Sequence, residues 1–285
     1  MTIIADILTY EHLADAFVAC LLSGITCGIV GSYVVARRMV FLSGGITHAS
    51  FGGLGMALYA GVNPLLGALV FAALAAVGVE CVSRRGGIRE DSAIGIIWAL
   101  GMAIGALFMS LAPGYASDLP SYLFGSISLV EHGDIRWLAL LTLGLVVGAV
   151  VWLRKLFYMT FDEEYARSQG VPTAIMAYVM AVVVAVTIVL SIKVMGIVLL
   201  MSLVTIPSVI ANTFSKDYRK IMLVATLVAV VCNVVGFVIS YEVVLPSGGG
   251  IPTGSCIIFL LATLLVVAKV VAAIRRGVIR LKQNK

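Results

Sequence analysis

The chain has 285 residues, of which 61% are hydrophobic and only 12% are charged, and its formal net charge is +5. A soluble domain is about half apolar and a quarter charged, so this composition excludes an ordinary soluble protein. Together with a mean hydropathy of +1.13, it predicts an all-α, polytopic membrane protein. Basic loops of such a protein account for the net charge, so no nucleic-acid partner is expected.

Eight apolar runs follow one another along the chain. They cover residues 13–35, 39–60, 65–82, 92–112, 137–153, 173–211, 221–240 and 255–274. A membrane span needs about 20 residues, so the run 173–211 is long enough for two spans, with a break at 192–196. We therefore expect about nine transmembrane helices, or eight if one run is re-entrant, within a single transmembrane domain over residues 1–285.

The basic residues lie in clusters between alternate pairs of runs. The clusters are Arg37 and Arg38; Arg84, Arg85 and Arg89; Arg154, Lys155 and Arg167; Lys216, Arg219 and Lys220; and Arg275, Arg276, Arg280, Lys282 and Lys285. Arg136 and Lys193 fall on the alternate side. By the positive-inside rule the clusters are cytoplasmic, which places the N-terminus outside and the C-terminus inside. The acidic N-terminal stretch has no basic segment typical of a signal peptide.

One histidine lies within the second apolar run. On a helix over 39–60, the side of His48 also carries four glycines, which are Gly44, Gly45, Gly52 and Gly55. Glycine strips let helices approach closely or leave room for a cavity, and an imidazole facing lipid would be costly. Two interpretations stay open: a core histidine bonded to a neighbouring carbonyl, or a pore-lining contact for a metal ion, for which neutral imidazole is a common ligand.

The longest polar stretch in the interior of the chain, residues 159–174, predicts a short cytoplasmic helix. Asp162 can cap it, and Glu163 and Glu164 would then lie in its first turn, where negative charge is favourable. Gly170 ends it, and Pro172 suits the first turn of the next helix. Such a helix between two spans is either a docking element or an ordinary solvated loop helix.

Sequence motifs for catalysis are missing. The chain has no G-x-x-x-x-G-K-[ST], H-E-x-x-H or G-x-S-x-G pattern, so if transport is driven by ATP, the ATPase is another polypeptide. The five cysteines, at 20, 27, 81, 232 and 256, form no C-x-x-C pair and are typical of apolar packing. We expect a protein that is not an enzyme and holds no resident cofactor.

The sequence resembles the permease subunits of ATP-binding-cassette importers for zinc, manganese and iron(II). Five blocks in the family's order carry the resemblance: "RRMVFLSGGITHAS" (37–50), "DLPSYLFGSISLV" (118–130), "DEEYARSQGV" (162–171), "KVMGIVLLMSLVTIPSVIA" (193–211) and "IPTGSCIIF" (251–259). The first is similar to the family's RR-x-x-F-x-x-D-x-x-x-H-A segment, and the third to its coupling helix. Together the blocks extend the resemblance over nearly the whole chain.

The resemblance implies a multi-pass permease of the bacterial cytoplasmic membrane, assembled as a homodimer or, occasionally, as a heterodimer. It further implies a cytoplasmic ATPase dimer docked on the coupling helix and an extracytoplasmic metal-binding protein that delivers the ion. The coupling residues would be Asp162, Glu163, Glu164, Ala166 and Gly170. The transported ion is expected to be a divalent transition metal, with zinc as the first candidate and manganese or iron(II) as alternatives.

The chain departs from the family pattern at two acidic positions. Four residues before the histidine, where the family pattern has an acid, this chain has Gly44. Two residues before the proline of the last block, where the pattern has a second acid, it has Gly250 if Pro252 is the matching proline, or Val244 if Pro246 is. Both missing carboxylates would belong to the family's intramembrane metal site. His48 remains, and Glu242 and Asp118 are the acids that could substitute, with Glu242 better placed before the glycine-rich external loop.

Two other functions are alternatives to an importer permease. A stand-alone secondary metal transporter would need ion-coupling acids inside its spans, and the apolar runs offer almost none. A non-transporting membrane scaffold would need neither the glycine-lined histidine face nor the capped cytoplasmic helix.

Overall fold

The structure is a computed structural model that describes residues 6–7, 9–85, 87–112, 132–243 and 251–283, without the side chains of 85, 193 and 276–283. We number ten helices in chain order: α1 Glu11–Ala36, α2 Val40–Ala60, α3 Pro64–Arg85, α4 Glu90–Leu111, α5 His132–Phe161, α6 Glu163–Ser168, α7 Thr173–Met195, α8 Ile197–Phe214, α9 Tyr218–Glu242 and α10 Thr253–Gln283. The described ranges contain no strand, which confirms the all-α prediction.

Eight of these helices are long and apolar enough to cross a membrane, namely α1, α3, α4, α5, α7, α8, α9 and α10. The exception among the long helices is α2, whose 21 residues include five glycines and His48. Its side chains are almost all buried, and it packs against α3, α4 and α7. Because protein rather than lipid surrounds α2, it can carry polar groups that a lipid-facing span could not. The expectation of eight or nine spans is confirmed.

The predicted break in the long run 173–211 lies at Gly196. Helix α7 ends at Met195 and α8 begins at Ile197, with Gly196 at φ 76° and ψ 164°. Only glycine adopts this conformation without a steric penalty from Cβ. The Gly196 N–H still donates to the Ile192 carbonyl at 2.7 Å, so the helix is interrupted without leaving that donor unpaired.

Glycines bring α2 into backbone contact with α4. A Cβ built on Gly55 would lie 2.6 Å from the carbonyl oxygen of Gly105, and one built on Gly105 would lie 2.6 Å from that of Phe51. A Cβ on Gly101 would lie 2.5 Å from the Cα of Ala49. Any larger residue at these positions would push the two helices apart, so the glycine strip fixes α2 inside the bundle.

This packing gives a direct stability prediction. Gly105→Ala should destabilise the protein by about 1–3 kcal/mol, because the new methyl group meets backbone that cannot move cheaply. Gly95→Ala, on the same helix but with no atom within 4 Å of the new Cβ, is the matched control and should change stability by at most about 1 kcal/mol. Thermal unfolding of the purified variants measures both, and equal melting temperatures would contradict the close-packed α2–α4 interface.

Candidate intramembrane site and coupling helix

His48 lies near the middle of α2, where its ring stacks on Trp98 of α4. The two ring centroids are 4.4 Å apart and the planes are 5° from parallel. Phe41 contacts the same indole, with ring centroids 5.9 Å apart. The imidazole is half-buried, and the described residues give it no hydrogen-bond or ion-pair partner. The interpretation as a core histidine bonded to a carbonyl therefore finds no partner among these residues.

The side of α2 one turn before His48 faces α8. A Cβ built on Gly44 would lie 3.2 Å from the Cε of Met201, 3.8 Å from its Sδ and 3.9 Å from Cζ3 of Trp98. The Met201 sulfur also lies 3.8 Å from the Ser43 hydroxyl and 3.9 Å from the Thr47 hydroxyl. The place where the family pattern has a carboxylate is thus occupied here by an aromatic edge and a thioether.

The four glycines predicted to share the pore face with His48 differ in what they contact. Gly45, Gly52 and Gly55 are covered by α4, where built Cβ atoms would lie 2.4 Å from Cγ2 of Ile94, 2.9 Å from the Gly101 carbonyl and 2.6 Å from the Gly105 carbonyl, respectively. Gly44 instead faces Met201 and Trp98. In this structure three of the glycines hold α4 against α2, and Gly44 borders the space beside the histidine.

Glu242 lies on a different helix from His48. It is the exposed last residue of α9, a helix that packs mainly on α1, α8 and α10. His48 precedes the end of α2 by 12 residues, which is about 18 Å of helix. Among the described residues no hydrogen bond or ion pair joins the two side chains, so the pairing of Glu242 with His48 stays a prediction.

Asp118 is the other acid that could substitute, and it lies outside the described residues, as do Val244 and Gly250, the two alternative positions of the family's second acid. Within the described ranges, no group of three or more His, Cys, Asp or Glu side chains could hold a metal ion. The role of Asp118 therefore stays a prediction.

The sequence did not predict two residues of this region, Trp98, which stacks on His48, and Met201, which lies against Gly44 one turn earlier. Met201 had no distinguishing signal, because methionines are scattered through the spans and usually pack. Trp98 belongs to an apolar run with no polar pattern. Only the packing of α2, α4 and α8 brings these residues to one place.

The short helix predicted after α5 is present as α6. Asp162 caps it by accepting a hydrogen bond from the Tyr165 N–H at 2.9 Å, which satisfies one unpaired donor of the first turn. Ala166 is completely buried, while Glu164, Tyr165 and Arg167 are exposed. Beyond the helix, Gly170 takes a left-handed φ of 76° that reverses the chain toward α7.

Glu163 anchors α6 to the bundle. Its Oε1 lies 3.1 Å from Nη1 of Arg84 at the end of α3, and its Oε2 lies 3.9 Å from Nη1 of Arg37, just after α1. Arg37 also donates to the Met159 carbonyl at 3.0 Å. These contacts fix the position of the short helix relative to two membrane spans.

The electrostatics of Glu163 follow from these partners. Partial burial alone would raise its pKa, but the hydrogen bond from Arg84 and the positive charges of Arg84 and Arg37 together hold the pKa below its ordinary value. A depressed pKa means that the carboxylate contributes stability throughout the neutral range and loses it only as pH falls through the folded-state pKa. The anchor is therefore present at neutral pH.

Comparison with known proteins decides the family. The model of the ABC 3 transport family matches residues 9–272. The chain belongs to this family. The resemblance to ATP-binding-cassette metal permeases that the five sequence blocks indicated is confirmed, and the chain is a multi-pass membrane protein.

Curated relatives and one solved structure place the chain more closely. A "Probable metal transport system membrane protein" from Chlamydia muridarum is 33% identical, covering 85% of this chain and 83% of the relative. The manganese transport system membrane protein MntC from Halalkalibacterium halodurans is 28% identical, covering 90% and 88%. PsaBC from Streptococcus pneumoniae, solved in complex with Fab, has a TM-score of 0.81 at 23% identity, covering 93% of this chain and 94% of its own, which shows that the fold is shared.

Proposed function

We propose that the chain is the permease subunit of an importer that moves a divalent transition-metal ion into the cytoplasm, with ATP hydrolysis on a separate subunit. The observation that carries the proposal is α6, a capped six-residue helix between two membrane spans. Its buried side is fixed by Ala166 and Glu163, and its outer side presents charged and aromatic groups. A rigid, exposed element on the side of the basic clusters is suited to receive a cytoplasmic partner.

The contacts of α6 could transmit a movement of the ATPase to the membrane helices. The ion pairs of Glu163 connect α6 to the cytoplasmic ends of α1 and α3. Helix α3 packs on α2, which carries His48. A displacement of α6 by the ATPase would therefore reach the helix that holds the imidazole through packed, charged contacts rather than through a loop.

The imidazole itself is suited to transient contact with a passing ion. His48 projects from an enclosed helix and, among the described residues, has no hydrogen-bond or ion-pair partner. Conduction needs sites that are strong enough to admit an ion and weak enough to release it. A site without the two family carboxylates would bind the ion loosely, so selectivity would depend more on the protein that delivers it.

The names of the relatives support a metal ion as the cargo. Relatives from Chlamydia and Thermotoga are named as metal transport proteins, and others are named for manganese transport. We propose zinc as the first candidate for this chain because imidazole suits zinc, and manganese or iron(II) as alternatives. The proposed assembly is a permease homodimer with a cytoplasmic ATPase dimer and an extracytoplasmic metal-binding protein.

A secondary transporter that works alone is less well supported. Ion coupling within the membrane needs ionisable groups at the binding site. Among the described residues, no cluster of three or more acidic, histidine or cysteine side chains forms a metal site. If the protein were a membrane scaffold that transports nothing, two features would have no role. These are the imidazole of His48, which has no hydrogen-bond partner among the described residues, and the anchored helix α6.

The proposal is tested by purification of the tagged permease from membranes that also contain its ATPase. A stable complex that survives detergent and hydrolyses ATP is the expected result. Metal uptake by the permease without any ATPase would contradict the proposal and favour the secondary transporter.

The proposed orientation gives a separate prediction. On a cysteine-free background, Val62→Cys in the exposed α2–α3 turn should react with a membrane-impermeant maleimide in intact cells. Ser168→Cys, on exposed α6, should react only after permeabilisation. The reverse labelling would place α6 outside the cell and would rule out its docking to a cytoplasmic ATPase.

A further inference from the structure

We propose that Met201 is a second contact for the permeating ion beside His48, and that this nitrogen–sulfur pair favours zinc over manganese. The inference rests on the proposed function, since it specifies the ligands and the metal preference of the same permeation path. It concerns atoms that no sequence motif singles out.

The geometry begins with the space left by Gly44. That space is bounded by the Met201 methyl and sulfur, at 3.2 and 3.8 Å from a built Cβ, and by the edge of Trp98 at 3.9 Å. His48 follows Gly44 by one helical turn on the same side of α2, and its ring lies flat on Trp98. The thioether, the indole and the imidazole therefore border one region between α2, α4 and α8.

Two hydroxyl groups complete this region. Ser43 and Thr47 lie 3.8 and 3.9 Å from the Met201 sulfur, and each donates at 2.7 Å to a carbonyl of its own helix. Because the hydroxyl hydrogens have stronger acceptors in those carbonyls, the sulfur keeps a lone pair free for another partner. Met201 is half-buried, so its flexible side chain can turn toward an ion at the imidazole.

The donor set determines the preferred ion. Thioether and imidazole are softer ligands than carboxylate, and soft ligands favour copper and zinc whereas carboxylate and water suit manganese. The family pattern pairs the histidine with an acid at position 44, but this chain has Gly44 with Met201 filling the space. Replacement of a hard donor by a soft one should shift the preference away from manganese.

Trp98 acts as a positioning residue in this arrangement. Its stack at 4.4 Å covers one face of the imidazole and restricts the ring orientation. It also serves as a reporter, because the chain has three tryptophans and the other two, Trp137 and Trp152, are more than half exposed on α5. In a Trp137→Phe, Trp152→Phe background, fluorescence reports on the surroundings of His48 alone.

The test titrates that purified permease with zinc and with manganese while Trp98 emission is followed. Zinc should bind more tightly than manganese. Met201→Leu should weaken zinc binding by about tenfold, the lower end of what loss of a supporting metal contact costs, with little change for manganese. Leucine conserves volume, so the variant should fold. Met180→Leu, a half-buried methionine on α7, is the matched control and should leave both titrations unchanged.

A reciprocal variant keeps the proposal falsifiable. Gly44→Asp restores a carboxylate next to Met201 and should raise manganese affinity relative to zinc. If Met201→Leu and Met180→Leu bind every ion alike, or if neither ion changes Trp98 emission in the parent protein, Met201 is only a packing residue and the inference fails. ATP-dependent uptake in the same protein would still support the proposed function, so the two failures are distinguishable.

Discussion

Replacement of His48 by alanine is expected to abolish or sharply reduce metal uptake while the permease still assembles with its ATPase. The imidazole has no hydrogen-bond partner among the described residues, so its removal should cost the fold little beyond the stack on Trp98, about 0.5–1.5 kcal/mol. Uptake would suffer far more, because the ion loses its nitrogen contact inside the membrane. Initial rates of radioactive zinc and manganese accumulation, normalised to the amount of complex, measure the effect.

His132→Ala is the matched control for this loss. His132 is an exposed histidine at the start of α5, paired with Asp15 at 2.9 Å and remote from α2 in the sequence. Its variant should transport at close to the parent rate. If His48→Ala also transports at the parent rate, the imidazole only packs against Trp98. If His48→Ala fails to assemble, the residue is structural and its uptake data carry no information about metal.

Charge reversal should have different effects at Glu163 and Glu164, two adjacent residues of α6 that the sequence alone does not distinguish. Glu164→Lys is expected to weaken association with the ATPase several-fold while membrane expression stays normal, because Glu164 is exposed and faces outward. Co-purification of the ATPase at increasing salt measures the effect, since an exposed charge contact weakens as ionic strength rises.

Glu163→Lys should instead reduce the amount of folded permease. The new ammonium would lie beside Arg84 and Arg37, which lose their shared carboxylate and gain a like charge. We expect a loss of about 1–2 kcal/mol of stability, since these groups are partly exposed to solvent. Glu163→Gln, which keeps the shape and one acceptor, should have a smaller effect. Equal behaviour of Glu163→Lys and Glu164→Lys in both assays would contradict the division of roles.

Much of the fold was predictable because the membrane imposes length and polarity on each element. The apolar runs, the break at Gly196 and the capped helix after Asp162 follow from span length, glycine conformation and side-chain capping, which are local properties. The burial of α2 was also indicated, since its glycines and histidine would be costly in lipid.

The candidate site was less predictable because it depends on contacts between distant segments. Gly44, Trp98 and Met201 come from three helices, and no periodic pattern in one of them reports on the other two. The pairing of Glu242 with His48 stays a prediction, because these residues lie at distant points of the chain and on different helices. The sequence also could not distinguish the role of Glu163 from that of Glu164, because the difference depends on arginines at the ends of α1 and α3.

The most direct test is metal accumulation in cells that lack their own importers and express this permease, its ATPase and its binding protein. We expect ATP-dependent accumulation of a divalent transition metal, with zinc preferred. We also expect accumulation to be lost when the ATPase is omitted or when His48 is replaced by alanine. Accumulation that persists without the ATPase, or no accumulation of any of the three metals by the complete system, would contradict it.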